Sequence, residues 1–395
     1  MEHEVITDEL IAILDKHPEI KDMLIKSIAM AKEINPDKNT NPAQTLQEYY
    51  QFLDWTAKPL PWNVLPNADY PSIYSKIDQG VCYFYFILDM PLPELEGKGY
   101  YYNSLQYVEP IQSWIKHYCQ NWGQFLSTEK SWDPSYYQLL LSEKRFNLQN
   151  GWYEDPSNWF TFNDFFSRQL KSPEIRPIAA QNDNSVVVSP ADSYPQGVWK
   201  IDGDSHIVQK EGVTIKSTVF DSIPEIMGAG SYYRDAFANG TLTHTFLDVD
   251  DYHRYHFPVS GTIKAAYKID QQDAAGGITI WDAAKKRYIL HSDIPGWQSF
   301  ETRGCVVVDT KEYGLVAILP VGMSQISSVN FEDTVKVGAE VKKGDKLGYF
   351  LFGGSDIIMI FQKDAGFHFD VAENEDKTAF KHVSIGQAYG RLGIH

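Results

Sequence analysis

The chain has few cysteines, and no two of them have the spacing of a metal-binding pair. Its 395 residues include three, Cys82, Cys119 and Cys305, without a CxxC pair. This scarcity argues against a disulfide framework and against a thiolate zinc site. Each cysteine is therefore expected to be a small apolar filler of the core.

Basic residues are also scarce. The sequence has 35 Lys and Arg against 52 Asp and Glu, which gives a formal net charge of -17. A field of this sign repels phosphate backbones and anionic lipid headgroups. Nucleic acid is therefore not expected as a partner.

Long apolar runs are missing. The longest, Val81 to Leu88 and Leu315 to Met323, fall well short of the ~20 residues that a membrane-spanning helix needs. The first residues, Met1 to Val5, are acidic and lack the basic head and apolar middle of a secretory signal. We therefore expect no integral membrane association, and a cytoplasmic location.

The first 150 residues show the periodicity of helices. Apolar residues recur every three or four positions between Ile6 and Ile34, with an interruption near Pro18. Further helices are predicted over Pro42–Trp55, Ser104–Phe125 and Ser135–Glu143. Many aromatic residues lie in the connecting pieces.

After about Asn163 the pattern changes to short β-branched runs bounded by Gly, Pro, Asp and Asn. The clearest predicted strands are Val186–Ser189, Gly261–Ala265, Cys305–Val308 and Leu315–Leu319. One helical insert is expected around Ser217–Asn239. The predicted fold class is α+β, with a helical, aromatic-rich N-terminal domain over residues 1–160 and a mostly β domain over residues 161–395.

Near the end of the chain, Gly353-Gly-Ser-Asp356 interrupts two apolar runs. Successive glycines allow backbone angles closed to other residues and remove the Cβ atoms that would hinder a nucleophile. The Ser355 hydroxyl could add to the Gly354 carbonyl and convert the amide into an ester, provided that a base takes its proton. The same tetrapeptide is also an ordinary turn sequence.

Two histidines three residues apart, His253 and His256, follow an acidic run. They could converge on one centre and divide acid and base work. Structural hydrogen bonding beside a strand is an equally open interpretation. A metal site is the third, although the spacing matches no metal-binding motif. It would draw on His244, Asp248, Asp250 and Asp251.

Asp192 lies in Ser189-Pro-Ala-Asp-Ser193, directly after a valine run. A carboxylate at the end of a strand can orient an imidazole and stabilise its charged form. Turn chemistry explains the same residues.

Taken together and in order, these pieces resemble the phosphatidylserine decarboxylase superfamily. The matching residues are Phe165–Arg168, Ser189–Asp192, Asp251–His256 with Pro258, and Phe352–Ser355. Val341–Gly348 is also similar to the glycine-bounded hairpin of that family. The resemblance covers the chain from about Asn158 to its end and implies that the β domain is a catalytic domain of this type.

The resemblance implies an enzyme, a carboxy-lyase that makes its own covalent pyruvoyl cofactor. Ser355 attacks Gly354, and elimination from the ester leaves one chain ending at residue 354 and a second beginning with a pyruvoyl group made from Ser355. By similarity His256 is the base and Asp192 orients it. His253 returns a proton to the α-carbon of the substrate after carbon dioxide leaves. A homodimer is implied by the family alone.

The sequence departs from the lipid enzymes of this family at several points. An acidic helical domain stands where those enzymes usually carry an apolar anchoring segment, and Val321–Val329 differs from their Val-Gly-Ala type sequence. Asp356 replaces the more familiar Ser or Thr. The first two features resemble the branch that contains the pyridoxal-phosphate-independent L-tryptophan decarboxylases, which implies a free, aromatic amino acid as substrate.

Four aromatic residues could line a pocket for such a ring or pack the two domains together: Trp152, Tyr153, Trp159 and Phe160. Two other functions stay open. One is a phosphatidylserine decarboxylase that makes phosphatidylethanolamine. The other is a non-catalytic carrier or binding module, because Val341–Gly348 also resembles the hairpins of lipoyl and biotinyl domains.

Overall fold

The computed structural model describes residues 2–57, 60, 70–74, 79–98, 102–208, 222–269, 277–291, 302–323 and 329–394. Helices dominate this part of the chain up to residue 166, and strands dominate it from residue 186 onward. The α+β fold class is therefore confirmed. Residues 217–221 of the predicted helical insert and residues 324–328 of the Val321–Val329 segment lie outside the described residues.

The helices follow the predicted apolar periods closely. In chain order they are α1 (Val5–Lys16), α2 (Pro18–Ile34), α3 (Leu46–Thr56), α4 (Pro71–Tyr74), α5 (Gln79–Leu88), α6 (Ile111–Leu126), α7 (Tyr136–Ser142), α8 (Phe162–Phe166) and α9 (Ile223–Met227). Pro18 opens α2, where its missing N–H is not needed. The predicted interruption near this residue is confirmed.

Two helical segments differ from the predictions. The helix α5 was not predicted. Its sequence is apolar on every side and buried from Tyr83 to Leu88, so it lacks the one-sided apolar stripe that signals a surface helix. The insert predicted over Ser217–Asn239 forms, in its described part, only the five residues of α9. Gly228 follows α9 with a φ of 84°, a value that residues with a Cβ rarely adopt, and the helix ends there.

Strands make up most of the remainder. They are β1 (Val186–Val188), β2 (Tyr194–Ile201), β3 (Ile207–Val208), β4 (Thr241–Leu247), β5 (Arg254–His256), β6 (Gly261–Ile269), β7 (Ile278–Asp282), β8 (Arg287–His291), β9 (Arg303–Asp309), β10 (Leu315–Met323), β11 (Val329–Phe331), β12 (Glu340–Val341), β13 (Lys346–Phe350), β14 (Gly354–Phe361), β15 (His368–Phe369) and β16 (Ala388–Arg391).

The central sheet has eight strands in the order β12-β6-β9-β10-β14-β4-β2-β3. Both of its faces are covered. Ile357, Met359 and Phe361 of β14 belong to one buried cluster, whereas Ile358 and Ile360 belong to another on the opposite face. A strand covered on both sides needs apolar residues at every position, which explains the continuous apolar run of β14.

The chain changes sheets between β13 and β14. β13 pairs with β5 and β11 in a three-stranded sheet, whereas β14 pairs with β10 and β4 in the central sheet. Gly353 lies at this crossing with a φ of 154°, which L side chains rarely adopt. The break between the two apolar runs is therefore the passage from one sheet to the other.

The helices α1 to α6 build a core of their own, which also includes Tyr288 of β8. Gln79 of α5 donates to the Tyr288 carbonyl and accepts from its N–H. Aromatic residues between Trp122 and Phe166 instead pack with the central sheet. The division into domains near residue 160 stays a prediction. Among the described helices, none combines the length and apolar character needed to cross a membrane.

Candidate active site

Ser355 is the second residue of β14 and is fully buried. Its backbone is held on both sides, because it lies opposite Gly322 of β10 and Leu247 of β4. Its hydroxyl donates to the Gly353 carbonyl at 3.3 Å. The peptide between Gly354 and Ser355 therefore lies at the point where the chain enters the central sheet.

His256, at the end of β5, is held as a neutral imidazole. Its Nδ1 lies 2.7 Å from the Gly344 carbonyl, which can only accept, so Nδ1 carries the proton. Its Nε2 is buried and has no hydrogen-bond partner among the described residues. Burial lowers the pKa of His256 to about 4, and the Asp192 carboxylate opposes this shift only in part. At neutral pH the Nε2 lone pair is available.

His253 has the same design. Its Nδ1 donates to the Asp251 carbonyl at 2.9 Å, and its buried Nε2 has no partner in the described part of the chain. Its ring packs on Phe166, with 3.8 Å between the centroids. Burial, and then the nearby Arg168 guanidinium, hold the pKa of His253 well below its usual value.

Arg168 is fully buried and holds the loop that orients His253. Its Nη2 donates to the carbonyls of Asp250 and Asp251 at 3.1 and 3.2 Å. Its guanidinium carbon lies 4.5 Å from the centre of the Tyr153 ring. The carbonyl that fixes the tautomer of His253 is therefore itself fixed.

Asp192 forms a buried ion pair with Arg176. The guanidinium donates to both carboxylate oxygens, with Nη2 at 2.5 Å from Oδ2. The Ile385 N–H donates to Oδ1 at 2.8 Å. The His256 ring is oriented by the hydrogen bond that its Nδ1 donates to the Gly344 carbonyl, and the charge of the Asp192 carboxylate raises the pKa of this imidazole.

Hydrogen bonds and strand pairing connect the three motifs to the strands around the start of β14. The His256 N–H donates to the Pro190 carbonyl at 2.8 Å, which joins β5 to the segment that carries Asp192. Thr245 of β4 donates to Ser193 at 2.6 Å and lies opposite Ile357 of β14. The Phe350 N–H donates to the His253 carbonyl at 2.9 Å.

Asp356 points to the other face of the sheet from Ser355, because neighbours in a strand alternate. It forms a buried hydrogen bond with His244 of β4. Burial raises the pKa of Asp356, and His244 opposes the rise. Asp356, the residue that departs from the family pattern, is therefore hydrogen-bonded to a neighbouring strand of the sheet.

Two residues that contact the candidate site were not predicted from the sequence: Arg176, which binds Asp192, and Asn163, which binds the Phe352 backbone. Arg176 lies in the Pro-punctuated segment before β1 and gives no pattern of its own. Asn163 lies beside the Phe165–Arg168 motif, and it accepts a hydrogen bond from the Phe352 N–H. A polar residue inside an aromatic helix is the one sequence signal that could have indicated Asn163.

The four aromatic residues considered for a substrate ring have different environments. Tyr153 and Trp159 line a cleft of about 220 Å³ together with Tyr137, Glu154 and Lys171. Trp152 packs against Arg176, with 4.6 Å between its ring centroid and the guanidinium carbon. Phe160 is 63% exposed.

The acidic residues around His244 and Asp251 do not form a metal site in the described residues, where no group of three or more His, Cys, Asp or Glu is arranged to hold an ion. Asp251 instead pairs with His382 at 2.9 Å. Burial and the neighbouring Asp248 raise the pKa of Asp250 to about 6.

Comparison with known proteins gives consistent matches. Residues 162–391 match the family model for phosphatidylserine decarboxylase. Phosphatidylserine decarboxylase proenzyme 2 of Oryza sativa is 32% identical over 287 residues, which cover 72% of this chain and 42% of that protein. Proenzyme 3 of Schizosaccharomyces pombe is 32% identical over 234 residues, covering 58% of this chain and 22% of that protein.

The decarboxylase iboD of Amanita muscaria shows a different coverage. It is 26% identical over 304 residues, which cover 70% of this chain and 83% of that protein. The chain thus spans less than half the length of the two phosphatidylserine decarboxylase proenzymes and most of the length of iboD.

Proposed function

The chain belongs to the phosphatidylserine decarboxylase family, and from this premise we propose that it is a pyruvoyl-dependent decarboxylase acting on a free aromatic amino acid. It cuts itself between Gly354 and Ser355. The observation that carries the proposal is the position of Ser355, buried behind two glycines where the chain enters the central sheet.

The residues present fit a pyruvoyl group made in place. Ser355 supplies its atoms, and the buried Nε2 atoms of His253 and His256 offer two unprotonated nitrogens. In the cut, His256 takes the hydroxyl proton as Ser355 Oγ bonds to the Gly354 carbonyl carbon, and passes it to the Ser355 nitrogen as the amide C–N bond breaks. Loss of the α-proton of residue 355 then releases the Gly354 carboxylate, and water replaces the nitrogen, which leaves as ammonia.

Each polar partner has a part in this step. Gly344 holds the His256 ring, so that Nε2 rather than Nδ1 is the base. Asp192, fixed by Arg176, favours the positive charge that His256 acquires. Such pairing follows the logic of a carboxylate that stabilises an imidazolium.

During decarboxylation the pyruvoyl group supplies the sink for the electrons released as carbon dioxide leaves. His253, whose Nδ1 proton is held by the Asp251 carbonyl, takes a proton at its Nε2 from the ammonium group of the substrate and returns it to the α-carbon of the product. Phe166 packs on its ring and keeps water away from it. A dry site preserves the neutral imidazole and its low pKa.

Two features support a free amino acid over a lipid. The net charge of -17 opposes binding to anionic membrane surfaces. The chain covers 83% of iboD, a protein whose name carries no lipid, against 42% of the rice proenzyme. The aromatic preference rests on the resemblance to the tryptophan branch and on the aromatic residues Trp152, Tyr153 and Trp159.

The first test is the cut itself. Denaturing gels of the wild-type protein are expected to show two fragments that meet at residues 354 and 355, and intact mass is expected to show a pyruvoyl end that borohydride traps with an amine. Ser355→Ala is expected to remain one band without activity. A single uncut wild-type chain with full activity would refute the proposal.

The second candidate, a phosphatidylserine decarboxylase, is favoured by the names of the proenzyme relatives. Carbon dioxide release from tryptophan, tyrosine and phenylalanine should be compared with release from phosphatidylserine in vesicles. We expect turnover with a free aromatic amino acid. Turnover with vesicles alone would assign the lipid activity instead.

A further inference from the structure

Asn163 links the segment before the cleavage site to the end of α6. Its Oδ1 accepts from the Phe352 N–H at 3.0 Å, and its Nδ2 donates to the Ser127 hydroxyl at 2.8 Å. A backbone N–H can only donate, so the orientation of this amide is determined. The side chain is 4% exposed, and little water competes for either bond.

The ring of Phe352 is enclosed by residues from the same side of the molecule. Trp122 of α6 and Phe162 and Phe166 of α8 meet it edge-on, with centroids 5.3, 5.5 and 5.2 Å away. Ser131 also accepts from the Phe162 N–H at 2.9 Å, which fixes the start of α8. Phe352 is therefore anchored through both its backbone and its ring.

The scissile peptide lies between two anchors. Downstream, β10 and β4 flank Ser355. Upstream, Gly354 lies opposite Met323 of β10 at the start of β14, and Gly353 alone separates it from the anchored Phe352. Glycine has more accessible conformations than any other residue, so Gly353 restrains its neighbours little, and the anchored Phe352 limits how far the Gly354 carbonyl can move from the Ser355 hydroxyl.

We infer that Asn163 is a positioning residue for self-cleavage, which holds the Gly354 carbonyl within reach of Ser355. This inference rests on the cut proposed above. Without the Asn163 hydrogen bond the stretch between anchors grows from Gly353 alone toward the next anchor, the bond that the Phe350 N–H donates to the His253 carbonyl. Reactions between groups held in place are sensitive to displacements of about 1 Å, which can cost about 100-fold in rate.

The experiment follows cutting during cell-free synthesis, with a pulse of label and a time course on denaturing gels. Asn163→Leu keeps the bulk of the side chain but removes the acceptor, and it is expected to slow cutting by about 10- to 100-fold. Asn163→Asp keeps an acceptor for Phe352, and Ser127 can donate to it. We expect this conservative variant to restore much of the rate.

The matched control is Asn41→Leu. Asn41 is also buried, and its amide donates to the Ala31 and Asn35 carbonyls within the helical core. The Asn41→Leu variant loses these bonds and the one that Asn41 Oδ1 accepts from the Tyr83 hydroxyl, in the core that contains Ala31 and Tyr83 rather than in the one that contains Phe352. Thermal unfolding of each variant, measured with Ser355→Ala so that all chains are uncut, shows whether the chains fold and how much stability each loses.

Slow cutting in Asn163→Leu, with rescue by Asn163→Asp and normal cutting in Asn41→Leu, supports the inference. Wild-type cutting by a folded Asn163→Leu chain, or equal slowing by Asn41→Leu, overturns it and leaves the proposed function intact. If the wild-type chain itself stays whole, the proposed function fails instead. Should Asn163→Leu not fold, Asn163→Ala replaces it, because it adds no steric demand.

Discussion

At the scale of single residues, the two histidines illustrate how burial prepares a base. Each imidazole donates a hydrogen bond from Nδ1 to a backbone carbonyl, and its Nε2 has no partner among the described residues. Solvent would protonate an exposed histidine below pH ~6.5, whereas burial lowers the pKa of both. Their separate roles are implied by the family resemblance, and their surroundings also differ: Phe166 and Arg168 lie near His253, and Asp192 acts on His256.

His256→Ala is expected to leave the chain uncut, because no base takes the Ser355 proton. Hydroxylamine, which cleaves esters, is expected to release no fragments from this variant. His253→Ala is expected to cut normally but to lose about 100- to 10,000-fold in turnover, the usual contribution of a proton donor.

Gels, hydroxylamine treatment and carbon dioxide release from the purified variants check these outcomes. His368→Ala, at an exposed imidazole, is the control and should behave as wild type. Loss of cutting in His253→Ala would contradict the division of roles.

At the scale of elements, the small sheet β11-β13-β5 carries both the histidine strand and the segment that leads to the cut. Gly348, in its central strand, permits the close approach of its neighbours. A Cβ at this position would lie 1.9 Å from the Asn330 carbonyl oxygen and 2.7 Å from the Tyr255 ring. The sheet can keep its spacing only with glycine here.

Gly348→Ala is therefore expected to destabilise the protein by about 1 to 3 kcal/mol, the usual cost of overpacking, and to reduce cutting. Unfolding in urea with Ser355→Ala present gives the first quantity, and a cell-free time course gives the second. Gly230→Ala is the matched control, because a Cβ there meets nothing within 4 Å. Equal stability of the two variants would contradict this account of the small sheet.

At the scale of the whole molecule, burying neutral histidines makes folding sensitive to acid. The pKa of His256 falls from 6.5 to about 4 on folding, so the unfolded chain takes up a proton between these values while the folded chain does not. Stability contributed by His256 is therefore complete above pH 6.5 and is lost as the pH falls toward 4. Acidic groups with a raised pKa, such as Asp250, act in the opposite direction.

A comparison of two chains isolates the contribution of His256. Between pH 7 and pH 5 the Ser355→Ala chain is expected to lose about 2 kcal/mol more in unfolding free energy than the same chain with His256→Gln. Urea unfolding at the two pH values measures this difference. Identical pH dependence in the two chains would show that His256 is not buried as a neutral group.

Much of the fold could be predicted because local sequence patterns indicate its helices and strands. The apolar periods of α1 and α2 and the β-branched runs of β9 and β10 are properties of neighbouring residues. The helix α5 could not be recognised from its sequence, because a helix buried on all sides has no polar face to mark it. The insert before β4 was overestimated, since Gly228 ends α9 after one turn.

The α+β class and the order of the motifs that end at Ser355 can be read from the residues alone, because helix and strand periods and glycine freedom are local chemistry. Which groups meet in space depends on the folded structure. It placed the Gly344 carbonyl on His256, Arg176 on Asp192 and Asn163 on Phe352, because pairing between residues far apart in the chain depends on how the sheets pack, and no local pattern records it.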